Sequence, residues 1–194
     1  MDPDDFKKHC LTSDSDIIVQ KYLIDGPNYY FEKIRPGDEF EFKKEIAKIL
    51  KVHIRDIVIV GSGKLGFSLK PTVLDAGLFL FKKFDQEKKS DLDIAIVSSK
   101  LFDHQMENLY SHTTWYENFK GSDRVDFAKY FLKGRFVIRF LPKDFKLSKE
   151  IEIVQNKYKM EYGRDVNLEI YKSWYFFETY HNNNVFRIKL NLEK

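Results

Sequence analysis

Short apolar runs alternate with longer amphipathic segments along this chain of 194 residues. Two runs, residues 57–60 and 92–97, are rich in β-branched side chains and predict buried strands. Residues 166–170 alternate between apolar and polar side chains, which is typical of a half-buried strand. Residues 134–141 are strand-like or irregular, and Pro142 ends them. A further short strand is weighed at residues 78–81.

Segments with helical spacing separate these strands. Phe42, Ile46 and Leu50 recur at a helical period, and Asp38 precedes them as a candidate cap. The full set of expected helices is 3–24 with a break at 12–14, 38–50, one from 98, one from 121 to 132, 143–162, and one in the last twenty residues. This order predicts an α+β fold (mixed α/β), a small mixed sheet flanked by helices, over a single domain 1–194 in which 1–35 form an N-terminal helical extension.

Composition indicates in which compartment the protein works and which classes of partner it can have. The formal net charge of +3 permits contact with nucleotides or nucleic acid without requiring it. Cys10 is the single cysteine, which excludes a disulfide within the chain. The N-terminal residues do not have the pattern of a signal peptide, and no apolar run is long enough to span a membrane. We therefore expect a cytoplasmic protein with no membrane partner.

The strongest candidate chemistry lies where the strand at 92–97 begins. Asp91 and Asp93 stand two positions apart, so an extended backbone points both carboxylates to the same side. Two carboxylates held together raise each other's proton affinity unless a cation lies between them. Their hard oxygen ligands suit Mg²⁺ or Mn²⁺. A solvated acidic turn is the alternative for this pair taken alone.

A glycine-rich loop follows the strand at 57–60. Gly61, Gly63 and Gly66 match the G-x-G-x-x-G fingerprint of NAD(P)-binding Rossmann domains, and Asp85 lies near the position of its ribose-binding acid. That fingerprint requires a full helix after the third glycine, whereas Pro71 follows five residues later. In the competing interpretation, Gly61 allows close backbone approach and Ser62 donates its hydroxyl to a phosphate.

Taken together, residues 58–62, Gly66 and residues 90–94 resemble the nucleotidyltransferase superfamily of DNA polymerase beta-like fold. The motifs cover about residues 56–97, and the general layout extends over 40–180. The chain is also similar to small bacterial nucleotidyltransferase-like proteins, some of which are associated with toxin–antitoxin or antiviral defence loci. The resemblance implies transfer of a nucleoside monophosphate from a nucleoside triphosphate to an acceptor, which the sequence leaves open as protein, RNA or small molecule.

The resemblance also implies roles for individual residues. Asp91 and Asp93 would ligate Mg²⁺ or Mn²⁺, and Glu169 is the candidate third catalytic carboxylate. The nucleotide would be bound by a set of small and basic residues, namely Gly61, Ser62, Gly63, Lys64 and Ser90. For Glu169 a solvent-facing strand position is an equal alternative, and for Trp115 and Trp174 core packing competes with stacking on a base.

The chain departs from the family pattern in one respect. Compact members place the two motifs close together, whereas here 29 positions separate Ser62 from Asp91. The insertion at 67–89 must loop out or form an extra hairpin. One alternative is therefore a catalytically degenerate module of this fold that binds a nucleotide or a protein partner, and another is an RNA-binding protein.

Overall fold

The computed structural model describes residues 2–69 and 79–193. The α-helices are α1 (Pro3–Thr12), α2 (Ser15–Ile18), α3 (Glu39–Leu50), α4 (Ser62–Leu65), α5 (Ser99–His112), α6 (Gly121–Phe131), α7 (Lys149–Tyr162) and α8 (Trp174–Leu192). The strands are β1 (Ile57–Val60), β2 (Leu92–Val97), β3 (Arg135–Val137) and β4 (Val166–Tyr171). Val19–Ile24 and Tyr30–Ile34 are π-helical, and Ile54–Asp56 and Ile138–Phe140 are 3-10 turns.

The four strands form one mixed sheet in the order β1–β2–β4–β3. β3 and β4 are antiparallel, with Phe136 opposite Ile170 and Val137 opposite Glu169. The last strand, β4, lies between β2 and β3. Helices α5 and α6 connect β2 to β3 along the chain, and α7 connects β3 to β4. The α+β architecture expected from the sequence is thus confirmed.

The expected strands at 57–60 and 92–97 coincide with β1 and β2. The expected helix at 143–162 is wrong at its start, since α7 begins only at Lys149. Ser148 precedes it with an extended backbone, and the Phe145 amide closes a turn on the Pro142 carbonyl. The candidate strand at 78–81 lies partly outside the described residues, and residues 79–81 belong to none of the four strands.

The chain divides into two compact units. The first comprises residues 1–42, 59–93 and 178–194. Its apolar core joins α1 and the helix after it to α8, since Phe6, Cys10, Leu23 and Ile188 are all buried within one cluster. Burial of these side chains removes apolar surface from water and stabilises the unit.

The second unit comprises residues 43–58 and 94–177. Its core is aromatic: Phe127 packs edge-on against Phe136 of β3 at 5.2 Å between ring centroids, and Phe102 of α5 stacks on Phe131 at 5.5 Å. Such pairs contribute beyond the area they bury. None of the helices in the described part of the chain combines the length and the apolar character needed to cross a lipid bilayer.

Candidate functional site

Gly61 marks the point where the buried strand β1 turns into α4. All four residues of β1 are buried, so the chain leaves the sheet abruptly at its end. Gly61 has φ 65° and ψ −147°, a combination that side chains with a Cβ essentially do not adopt. The turn therefore requires glycine, and it leaves the backbone bare on the side where a side chain would stand.

Asp91 and Asp93 alternate with core residues at the start of β2. Leu92 and Ile94 are fully buried, so the period-two alternation of a strand sends Asp93 to the other face. Asp93 is half-buried and Asp91, just before the strand, is exposed. One of the two carboxylates is thus partly shielded from water and the other is open to it.

The structure brings Gly61 and Asp93 together. A Cβ built on Gly61 would lie only 2.7 Å from Oδ2 of Asp93. The carboxylate therefore occupies the space that the missing side chain leaves, directly against the Gly61 backbone. The two motifs that the sequence separates by some thirty residues meet at one point.

The donor chemistry here fits a hard divalent cation. Mg²⁺ in phosphate-binding sites is held by one or two carboxylates together with substrate phosphates and water; Asp93 supplies one at Gly61, and Asp91 stands two positions before it in the chain. Within residues 2–69 and 79–193, however, no three His, Cys, Asp or Glu side chains form a group that could hold a metal ion. The pair would need oxygen ligands from a substrate to complete a site.

Glu169 lies on β4 and is engaged by an arginine. Nε of Arg135 donates to Oε2 of Glu169 at 2.9 Å, and a second guanidinium nitrogen donates to the same oxygen. Both side chains are nearly buried, at 9% and 13% exposure. Glu169 is thus held in an ion pair, and its role as a third catalytic carboxylate stays a prediction.

Three predicted nucleotide ligands are held by local contacts. Ser62 begins α4, and its carbonyl accepts the Gly66 amide at 2.9 Å. Gly63 is a packing position, because a Cβ there would lie 2.8 Å from Cδ1 of Leu92. Ser90 closes a turn with Asp85: its hydroxyl accepts the Asp85 amide, and its own amide donates to the Asp85 carboxylate at 2.7 Å. Ser62 directly follows Gly61 in the chain.

Lys64 is placed differently from its predicted role. Only 2% of this residue is exposed, and its ammonium group donates to the backbone carbonyls of Ile24 and Gly26. These bonds tie α4 to the turn that follows the π-helix Val19–Ile24. A phosphate contact by Lys64 is not supported by this placement, since the ammonium group points into the first unit.

We expect Lys64→Met to lower the free energy of unfolding by about 2 kcal/mol, because two half-buried carbonyls lose a charged donor. Nucleotide affinity should stay within about twofold of the wild type. Urea denaturation measures the first quantity, and Lys88→Met, at an exposed position, is the control. A Lys64→Met variant that is as stable as the wild type but loses nucleotide affinity would support a phosphate contact by Lys64.

The insertion after α4 is closed at its base. Residues 66–68 pair in antiparallel fashion with residues 82–84: the Ser68 amide donates to the Lys82 carbonyl, and the Phe84 amide to the Gly66 carbonyl, both at 2.8 Å. The chain thus returns to its starting point as a hairpin would. α4 itself has four residues and ends at Gly66, so the long helix of an NAD(P)-binding fingerprint does not form here.

No family model, no curated protein and no solved structure matches this chain. Its own geometry is therefore the basis for any assignment. The ion pair between Arg135 and Glu169 was not predicted from the sequence, although a charged residue just before the apolar run 136–138 is a signal for such a pair.

Proposed function

We propose that this protein binds a nucleoside triphosphate where Gly61 meets Asp93, here called the Gly61–Asp93 site, and transfers its nucleoside monophosphate to an acceptor. One observation carries the proposal: the Asp93 carboxylate lies against the bare backbone of Gly61. A phosphate-binding turn and a metal-binding carboxylate are thereby adjacent, as the resemblance to nucleotidyltransferases implies. A cytoplasmic location belongs to the same proposal.

The residues divide the work of binding. Asp91 and Asp93 would hold Mg²⁺ or Mn²⁺, which when bound neutralises phosphate charge and favours the leaving pyrophosphate. The missing side chain at Gly61 leaves room for the Asp93 carboxylate, so a metal ion held by that carboxylate would lie beside the turn and bring a phosphate with it. The Ser62 hydroxyl, half-buried beside it, is a donor for a phosphate oxygen.

In the proposed reaction an acceptor oxygen forms a bond to the α-phosphorus while the bond to pyrophosphate breaks. Catalysis of this kind depends mainly on positioning and on stabilising negative charge. The acceptor class, whether protein, RNA or small molecule, stays open. A place in bacterial defence is supported by the resemblance alone.

A second candidate is a degenerate module that binds a nucleotide or a protein partner without transferring anything. The ion pair between Arg135 and Glu169 favours it, because a carboxylate held by arginine is a poor ligand for a second metal. The transferase and the nucleotide-binding form of the module both require Asp91 and Asp93 for nucleotide binding, whereas a module that binds only a protein partner does not. They differ in whether the nucleoside monophosphate is transferred to an acceptor.

Calorimetric titration of ATP, GTP, CTP and UTP with Mg²⁺ or Mn²⁺ tests the shared requirement. We expect at least one nucleotide to bind at least tenfold more weakly to the Asp91→Asn/Asp93→Asn variant. The matched control is Glu117→Gln/Asp123→Asn, which removes two exposed negative charges elsewhere. If no nucleotide distinguishes the wild type from the double aspartate variant, the site is not a nucleotide site.

Incubation with α-labelled nucleotides and a cell lysate then separates the two candidates. Label that becomes attached to a macromolecule or metabolite, and that depends on Asp91 and Asp93, supports transfer. Nucleotide binding without transferred label supports the module.

A further inference from the structure

A polar groove lies in the second unit where β2 ends and α5 begins. It is a shallow depression, largely open to solvent, with a volume of about 410 Å³. The residues that define this α5 groove are Lys51, His53, Ser99, Lys100, Lys172 and Trp174. None of them belongs to the Gly61–Asp93 site.

The groove is electropositive. Three lysines line it against a single carboxylate, that of Asp56, and Oδ1 of Asp56 accepts Nε1–H of Trp174 at 3.1 Å. Lys172 forms an ion pair with Asp103. Over the described residues we find no hydrogen bond or ion pair for the ammonium groups of Lys51 and Lys100. Two positive charges are therefore available to an anion.

Neutral donors add to these charges. α5 has fourteen residues, and its Leu101 amide is capped by the Ser98 hydroxyl at 3.2 Å. The amides of Ser99 and Lys100, in the same first turn, have no acceptor within the helix. Nδ1 of His53 accepts the Arg55 amide at 3.2 Å, which leaves Nε2 as the ring nitrogen that can donate. Ammonium, amide and imidazole donors thus converge on one groove.

Lys51 occupies a position where a lysine is unfavourable for the backbone. It follows the end of α3 with φ 54°, the left-handed conformation that glycine or asparagine adopts with least strain. A strained residue of this kind persists only where the surrounding structure holds it, and such residues cluster at ligand sites. Helices commonly end on a residue in this conformation. Lys51, exposed at this position, contributes one of the two available ammonium groups.

We infer that the α5 groove binds an organic phosphate of mononucleotide size. Its phosphate lies against Lys51, Lys100 and the first turn of α5, since charged donors and helix amides together favour phosphate. Its base stacks on the half-buried indole of Trp174, which Asp56 holds in place. This second site goes beyond the proposed function and does not depend on it.

AMP and inorganic phosphate, each titrated in the presence of EDTA, test the inference without any divalent metal. The chain has two tryptophans, so a Trp115→Phe background leaves Trp174 as the only fluorescent indole. In that background we expect AMP to quench the fluorescence and phosphate to compete with AMP. Lys51→Ala/Lys100→Ala should weaken AMP at least tenfold. The matched control, Lys143→Ala/Lys146→Ala, removes two exposed lysines elsewhere in the same unit.

Two further variants complete the test. Trp174→Leu should lower the affinity for AMP, measured by calorimetry. The affinity for inorganic phosphate should stay within about twofold of the wild type. Asp91→Asn/Asp93→Asn should leave AMP binding in EDTA unchanged, which separates this site from the proposed function. The inference is overturned if AMP fails to bind at millimolar concentration, or if both lysine pairs weaken it equally.

Discussion

Replacement of Arg135 by methionine is expected to lower the free energy of unfolding by about 3–5 kcal/mol. The methionine keeps the apolar stem but leaves the Glu169 carboxylate, which is 13% exposed, without its guanidinium. The variant also loses the guanidinium that lies 5.0 Å from the Tyr130 ring. Chemical denaturation with an unchanged urea dependence would show that the native state itself was destabilised.

The double variant Arg135→Met/Glu169→Leu is the control for this prediction. A buried ion pair replaced as a whole by apolar side chains of similar volume is often nearly neutral. We therefore expect the second substitution to restore most of the lost stability. An Arg135→Met variant as stable as the wild type would mean that water reaches Glu169 and solvates its charge.

Gly61→Ala is expected to abolish metal-dependent nucleotide binding and to lower the free energy of unfolding by roughly 1–3 kcal/mol. The backbone at φ 65° and ψ −147° disfavours any Cβ. That Cβ would also stand 2.7 Å from Oδ2 of Asp93, so the carboxylate has to rotate away. Calorimetric nucleotide titration and urea denaturation measure the two effects on the same sample.

Gly37→Ala separates the two causes. Gly37 also has a positive φ, of 90°, but a Cβ there would meet nothing within 4 Å. We expect it to lower stability while nucleotide affinity stays near that of the wild type. If Gly61→Ala keeps full nucleotide affinity, the contact between Gly61 and Asp93 has no part in nucleotide binding.

Local sequence signals were sufficient for most of the fold. The β-branched run at 57–60 and the apolar run at 92–97 are strands because their side chains fit a buried sheet, and both are found there. Helix periodicity located α3 closely, since Phe42 and Ile46 are buried on one face. The start of α7 was missed because residues 143–148 include charged and apolar side chains that are compatible with helix.

The site was predictable only in part. The spacing of Asp91 and Asp93 and the Gly-Ser pair were visible in the sequence, but their meeting depends on strand pairing, which is a long-range property. Lys64 could not be placed, since its partners are carbonyls at residues 24 and 26, some forty positions away. The groove beside α5 was likewise hidden, because it collects residues from segments far apart in the chain.

The alternation at the start of β2 has a consequence for the folding chain. Leu92 and Ile94 are fully buried on either side of the half-buried Asp93. A slip of this strand by one residue would turn the Asp93 carboxylate to the face on which Leu92 and Ile94 are buried, where the charge would lose its contact with water. Asp93 therefore disfavours misaligned pairing of this strand while the sheet assembles, before any ligand binds.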